Sequence, residues 1–148
     1  MEIRTKHARA ENHGGKRAET GFLVIHFTAN RGDTAKNNAE YFAREVTRTS
    51  AHYFVDENEV WQSVPDDVTA WHCGGQTYYH AACRNANSIG IEICMHDRQG
   101  DEVIFTEDTG HFFLIRVGGD GNEVHLHQVG DEHLIIFSKE QILNGNNT

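Results

Sequence analysis

Two side chains in this sequence stand where an apolar strand should not place them. His26 comes near the end of the run "FLVIHF", and Glu92 lies inside "SIGIEIC". A histidine at a strand end offers a lone pair to a metal or a proton, or it is a satisfied core residue. Phe22, Val24 and His26 share one strand face, so the imidazole sits at the edge of a packed layer. A rigid strand end fixes a ligand's geometry well. A carboxylate among isoleucines is expensive to bury without partners. Glu92 is therefore a salt-bridged residue on a solvated sheet face, a general base with a raised pKa, or the partner of a metal ligand. If the two strands are neighbours in one sheet, both groups converge near the strands' carboxyl ends, where open α/β sheets keep their sites.

The elements that must hold them are legible as patterns. "GFLVIHF" reads as a central strand covered on both faces. Asp33 or Thr34 can cap a following helix over 34–46, whose apolar face carries Ala35, Ala39, Phe42, Ala43 and Val46. "AHYFV" and "EVWQSV" flank "DEN" as a hairpin closed by Pro65. Residues 67–87 read as a long irregular loop with two glycines, three aromatics and two histidines, the kind of segment that forms binding surfaces. In the strand "SIGIEICM", Ile89, Ile91 and Ile93 face one side while Gly90, Glu92 and Cys94 face the other. After about residue 108 three strand-like runs separated by "GGDG" and "GDE" predict a β-meander. Ser138 to Gln141 then opens a short helical segment as a capping box, and "NGNNT" is a frayed tail.

Composition narrows the function classes. With 148 residues and 38% hydrophobic content, the chain fits one domain with a real core. A net charge of −9 opposes binding to nucleic acid or anionic membrane. No apolar stretch is long enough to span a bilayer, and no secretory leader is visible at the start. The expected location on synthesis is the cytoplasm, with any action outside it following release. Cys73, Cys83 and Cys94 are an odd set without CxxC spacing, which predicts small buried hydrophobes rather than a disulfide framework.

The ordered motifs "FLVIHFTAN", "GDTAKNNAEYF", "SAHYFVDENEVWQSVPDDVTAWHCGG" and "CRNANSIGIEIC" resemble the zinc-dependent N-acetylmuramoyl-L-alanine amidases of type 2. That family includes phage and prophage endolysins and is similar to the peptidoglycan recognition proteins. The resemblance runs from about residue 3 to 108. It implies an α/β fold with a central mixed β-sheet flanked by helices. It also implies hydrolysis of the amide joining the lactyl group of muramic acid to the first L-alanine of the peptidoglycan stem peptide. By the same resemblance His26 is a zinc ligand, Glu92 is the catalytic acid/base, and Trp71 and His72 line the substrate groove. His52 matches the pattern and is read as structural. Zinc suits this reaction, because it polarises an amide carbonyl and brings the pKa of bound water towards ~7.

The last third departs from the family. A type 2 amidase takes two further zinc ligands there, a strand-end histidine and a cysteine or aspartate, usually within a "KxCP" segment. This chain has no proline after Pro65 and no cysteine after Cys94, and the long helix expected after "SIGIEIC" is missing. The chain is thus read as an amidase-like core over 1–108 and a β-rich segment over 109–148. Two accounts stay open. In one the segment lacks ligands, which leaves an inactive peptidoglycan-binding or degenerate fragment. Alternatively "VHLHQVGDEH" supplies replacements from His125, His127 and His133.

Overall fold

The computed structural model describes residues 2–28, 30, 32–74, 78 and 80–94, together with the strand backbones 103–104, 112–116, 123–129 and 132–138. Its centre is strand β3 (Phe22–Phe27), which pairs in parallel with β7 (Ser88–Ile93). Strand β4 (Tyr53–Val55) lies parallel to β7 on its far side and forms the expected hairpin with β5 (Val60–Gln62). Strand β1 (Ile3–Thr5) closes that edge in parallel with β5. The result is a mixed sheet, as expected. Residues 67–87 are less irregular than the sequence suggested. Val68–Ala70 forms strand β6, which pairs with β2 (His13–Lys16) in a separate two-stranded sheet. Three residues carry too little periodicity to announce a strand, so the partner decides it.

Helix α1 (Ala35–Arg44) is the α-helix among the described residues. Of the two possible caps, Thr34 takes the role, its hydroxyl accepting from the Asn37 amide. The Asp56 carboxylate accepts from the Ala35 amide, which ties the helix start to the hairpin. Ala35 and Ala39 are buried with Ala51, Phe54 and Cys94, and Phe42 stacks on Phe54 at 5.2 Å between ring centroids. The helix stops two residues short of the expected end, and Val46 is exposed rather than packed.

Asn12 explains the stop. This fully buried side chain donates to the carbonyls of Phe42 and Glu45 at 2.9 and 2.8 Å. Its Oδ1 accepts from the amides of Thr47 and Arg48 at 2.7 and 3.0 Å. One amide thus satisfies helix-end carbonyls and the amides of the turn that follows, where Arg48 adopts φ 56°. Asn12→Ala is expected to cost about 3 kcal/mol, since it leaves buried backbone groups unsatisfied. Urea denaturation at neutral pH measures it, and a loss well under 1 kcal/mol would contradict this account.

The strand backbones of the last third join the same sheet. Strand β8 (Val103–Ile104) pairs with β9 (Phe112–Arg116), β9 with β10 (Glu123–Val129), and β10 with β11 (Glu132–Ser138), all antiparallel. Strand β11 then lies antiparallel to β3. The expected short helix from Ser138 and the tail after it lie outside the described residues. On β3 itself burial is one-sided among the described residues: Val24 and His26 are buried, Leu23 and Ile25 half-buried. No helix among the described residues is long and apolar enough to cross a membrane.

Candidate active site

One register row crosses the sheet at the site. Trp61 faces Phe54, Phe54 faces Glu92, and Glu92 faces His26. Directly opposed residues in a sheet share a face, so Glu92 and His26 are neighbours near the carboxyl ends of two parallel strands. The row continues as a backbone register from His26 to Leu134 and from Leu134 to His127. His127 therefore occupies a position two strands from His26, about 10 Å away at the usual strand spacing. His125 pairs with Leu114 and His133 with Gln128. The side chains of all three lie outside the described residues.

His26 is buried, and desolvation lowers its pKa to about 4. At neutral pH it is a neutral imidazole, the form a cation needs. Its Nε2 lies 2.9 Å from Nδ1 of His72, and the two rings meet edge to face at 89°. Burial, and after it the nearby His26 and His52, also hold the His72 pKa well below 6.5. His52 is fully buried and its pKa is lowered, mainly by desolvation. Its Nδ1 accepts from the Gly90 amide at 3.0 Å, and its Nε2 donates to the Val68 carbonyl at 2.7 Å. His52 joins β7 to β6, which is the structural role expected of it.

His72 and Trp71, expected to line the groove, stand at the end of β6. The His72 ring lies against Gly90, where an added Cβ would come within 2.6 Å of it. Only glycine at 90 lets the ring approach the sheet so closely. Both His72 nitrogens have partners inside the protein, His26 at Nδ1 and the Ser88 hydroxyl at Nε2, 3.0 Å away. Trp71 exchanges hydrogen bonds with Ser50, its amide donating to the hydroxyl and its carbonyl accepting from the amide. Its indole nitrogen sits beside Gly14. Both residues are half-buried.

Two residues here, Asn85 and Ser88, escaped the sequence reading. The Asn85 side-chain oxygen accepts from the amides of His72 and Cys73 at 3.0 and 2.7 Å, which fixes the loop bearing both. Ser88, fully buried, donates to the Arg84 carbonyl at 2.7 Å. Cys73 and Cys83, both buried as expected, bring their sulfurs to 3.9 Å. Cys73 shares its hydrogen with Cys83, so the Cys83 thiol is pulled down and the Cys73 thiol pushed up. Asn and Ser in "CRNANS" look like ordinary loop residues, and no spacing rule singles them out. Cys94 is pushed up to about 12, first by burial and then by the charges of Asp33, Asp56 and Glu92.

A catalytic zinc ion needs about three protein donors, and the described residues offer His26 as a candidate for one of them. His26 is neutral and fixed at a strand end, and Glu92 stands beside it. Among the described residues no group of three His, Cys, Asp or Glu side chains could hold a metal ion.

A mixed sheet with one helix on its functional face, and a histidine and a glutamate side by side at the ends of parallel strands, defines an α/β domain with a strand-end site. Residues 16–111 match the N-acetylmuramoyl-L-alanine amidase family model, and the chain belongs to that family. It is 33% identical over 122 residues to N-acetylmuramoyl-L-alanine amidase CwlH of Bacillus subtilis, a match covering 80% of this chain and 46% of that protein. N-acetylmuramoyl-L-alanine amidase CwlA of the same organism is 38% identical over 73 residues, 49% of this chain and 25% of that protein. Among solved structures, a mutant endolysin from Bacillus subtilis superposes with TM-score 0.53 at 32% identity, covering 64% of this chain and 61% of that one. PlyL superposes with TM-score 0.55 at 28% identity, covering 68% and 62%. The chain thus spans less than half the length of these two curated relatives.

Proposed function

We propose that the chain hydrolyses the amide between the lactyl group of muramic acid and the first L-alanine of the peptidoglycan stem peptide. The observation that carries this reading is the pairing of His26 with Glu92 across β3 and β7, inside the segment that matches the amidase family. Amide hydrolysis needs a water made nucleophilic and a proton for the leaving nitrogen. Glu92 would take the first proton and deliver it to the amine. His26 would hold a zinc ion, which when bound supplies Lewis acidity towards the carbonyl and the water. Trp71 and His72 form one wall of the groove, and their ties to Ser50, Asn85 and Ser88 keep that wall rigid. Residues 109–148 are read as a β-rich segment that takes the place of the family's usual last third. His127, in the row of His26, is the position there best placed to contribute.

The test uses the whole chain, purified with zinc, and sacculi as substrate. New L-alanine amino termini should appear without new reducing sugar ends, and metal analysis should find zinc that His26→Ala loses. Binding to sacculi with no new amino termini would overturn the enzymatic reading. Equal zinc in wild type and His26→Ala would overturn the assignment of that ligand.

A further inference from the structure

We propose that Ser88 and His72 act as a tautomer relay that holds His26 with its proton on Nε2 and its lone pair on Nδ1. The hydrogens along one chain of contacts can be counted. The Ser88 oxygen lies 2.7 Å from the Arg84 carbonyl, and a carbonyl can only accept. The single hydroxyl hydrogen is therefore spent there. Ser88 can then only accept from His72, whose Nε2 is 3.0 Å away, so that nitrogen carries a hydrogen. A neutral imidazole has one N–H, which leaves His72 Nδ1 bare. Its neighbour at 2.9 Å is His26 Nε2. Two bare nitrogens at that distance would repel, so His26 donates and carries its hydrogen on Nε2. The lone pair of His26 is left on Nδ1.

One competing donor faces His72 Nδ1. The Cys73 sulfur is 3.3 Å away, but a thiol is a weak donor and this one also has Cys83 within 3.9 Å. Even a donating thiol would not relieve the clash of lone pairs between the imidazoles, so the assignment of His26 stands. The relay is also built into the backbone. Gly90 makes room for the His72 ring, and Asn85 fixes the amides of His72 and Cys73. Ser88 and Gly90 both belong to β7, the strand that carries Glu92. The same strand thus presents the carboxylate and sets the tautomer of the histidine beside it.

Ser88 and His72 are positioning residues: they act through His26 and present Nδ1 as the atom left to a cation. Groups that orient a metal-binding imidazole through its other nitrogen typically affect metal affinity by about 10–100-fold. This part rests on the reading of His26 as a zinc donor, and the tautomer itself does not.

The experiment is two-bond proton–nitrogen correlation spectroscopy on metal-free protein carrying 15N-histidine, with no substrate present. Wild type should show His26 and His72 each as a single Nε2–H tautomer. Ser88→Ala should turn both into tautomer mixtures, and Ser88→Thr should restore them. In zinc titrations Ser88→Ala should weaken binding by about 10–100-fold relative to wild type, with recovery in Ser88→Thr. An Nδ1–H tautomer at His26 in wild type overturns the proposal with no variant needed, so misfolding of Ser88→Ala does not protect it. Unchanged tautomers in a folded Ser88→Ala protein overturn it as well. A wild type that shows the tautomers yet binds no zinc sinks the reading of His26 as a ligand and leaves the relay intact.

Discussion

Glu92→Gln is expected to lower the rate of stem-peptide release by 10²- to 10⁴-fold, the usual contribution of a positioned acid–base group. Glutamine keeps the shape and most of the packing of glutamate but cannot accept a proton at neutral pH. Glu92 stands in the register row between Phe54 and His26, on the face that also carries the buried Cys94. The loss should fall on kcat, with KM and zinc content near those of wild type, because the groove wall and His26 are untouched. Circular dichroism and thermal denaturation provide the control for folding. A Glu92→Gln protein that releases L-alanine termini at more than a tenth of the wild-type rate would remove Glu92 from the chemistry.

Acid should unfold the metal-free protein well above the range in which carboxylates titrate. In the folded protein His26 has a pKa of about 4, and those of His52 and His72 are also depressed, chiefly by burial. In the unfolded chain each returns to about 6.5. As pH falls through 6.5 the unfolded state takes up protons that the folded state refuses. Stability is therefore full above about pH 7 and is lost progressively between about 6.5 and 4. His26 alone accounts for about 3 kcal/mol of that loss, a large share of a typical domain's stability. Urea midpoints measured with a chelator from pH 8 down to 4.5 should be flat at first and then fall steeply. A flat profile down to pH 5 would show that the three imidazoles are not buried neutral.

How much of this was legible beforehand depends on the residue. His26 and Glu92 could be found because each breaks an apolar pattern, and a breach of pattern inside a strand is visible in one dimension. Strands β3 and β7 followed from their own runs, and the hairpin from "DEN" between two apolar segments. Helix α1 was recognisable by its period, but its end was not. That end is decided by Asn12, which reaches the end of helix α1 from thirty or more positions earlier in the chain. Strand β6 was hidden for a similar reason, since its partner β2 lies more than fifty positions before it. For His72 the motif suggested a place in the expected groove but could not show that both its nitrogens have partners inside the protein.

Residue order was enough for the family, the two strands that matter and the pair of side chains near their ends. It was enough because periodicity and motif order are properties of neighbouring positions. The rest came only with folding. It set Glu92 opposite His26, laid the His72 ring on Gly90, and ran a line of hydrogen bonds from the Arg84 carbonyl through Ser88 and His72 to His26. The physical reason is that a hydrogen bond is specified by distance and direction between two groups. Where those groups lie far apart along the chain, only folding brings them within 3 Å.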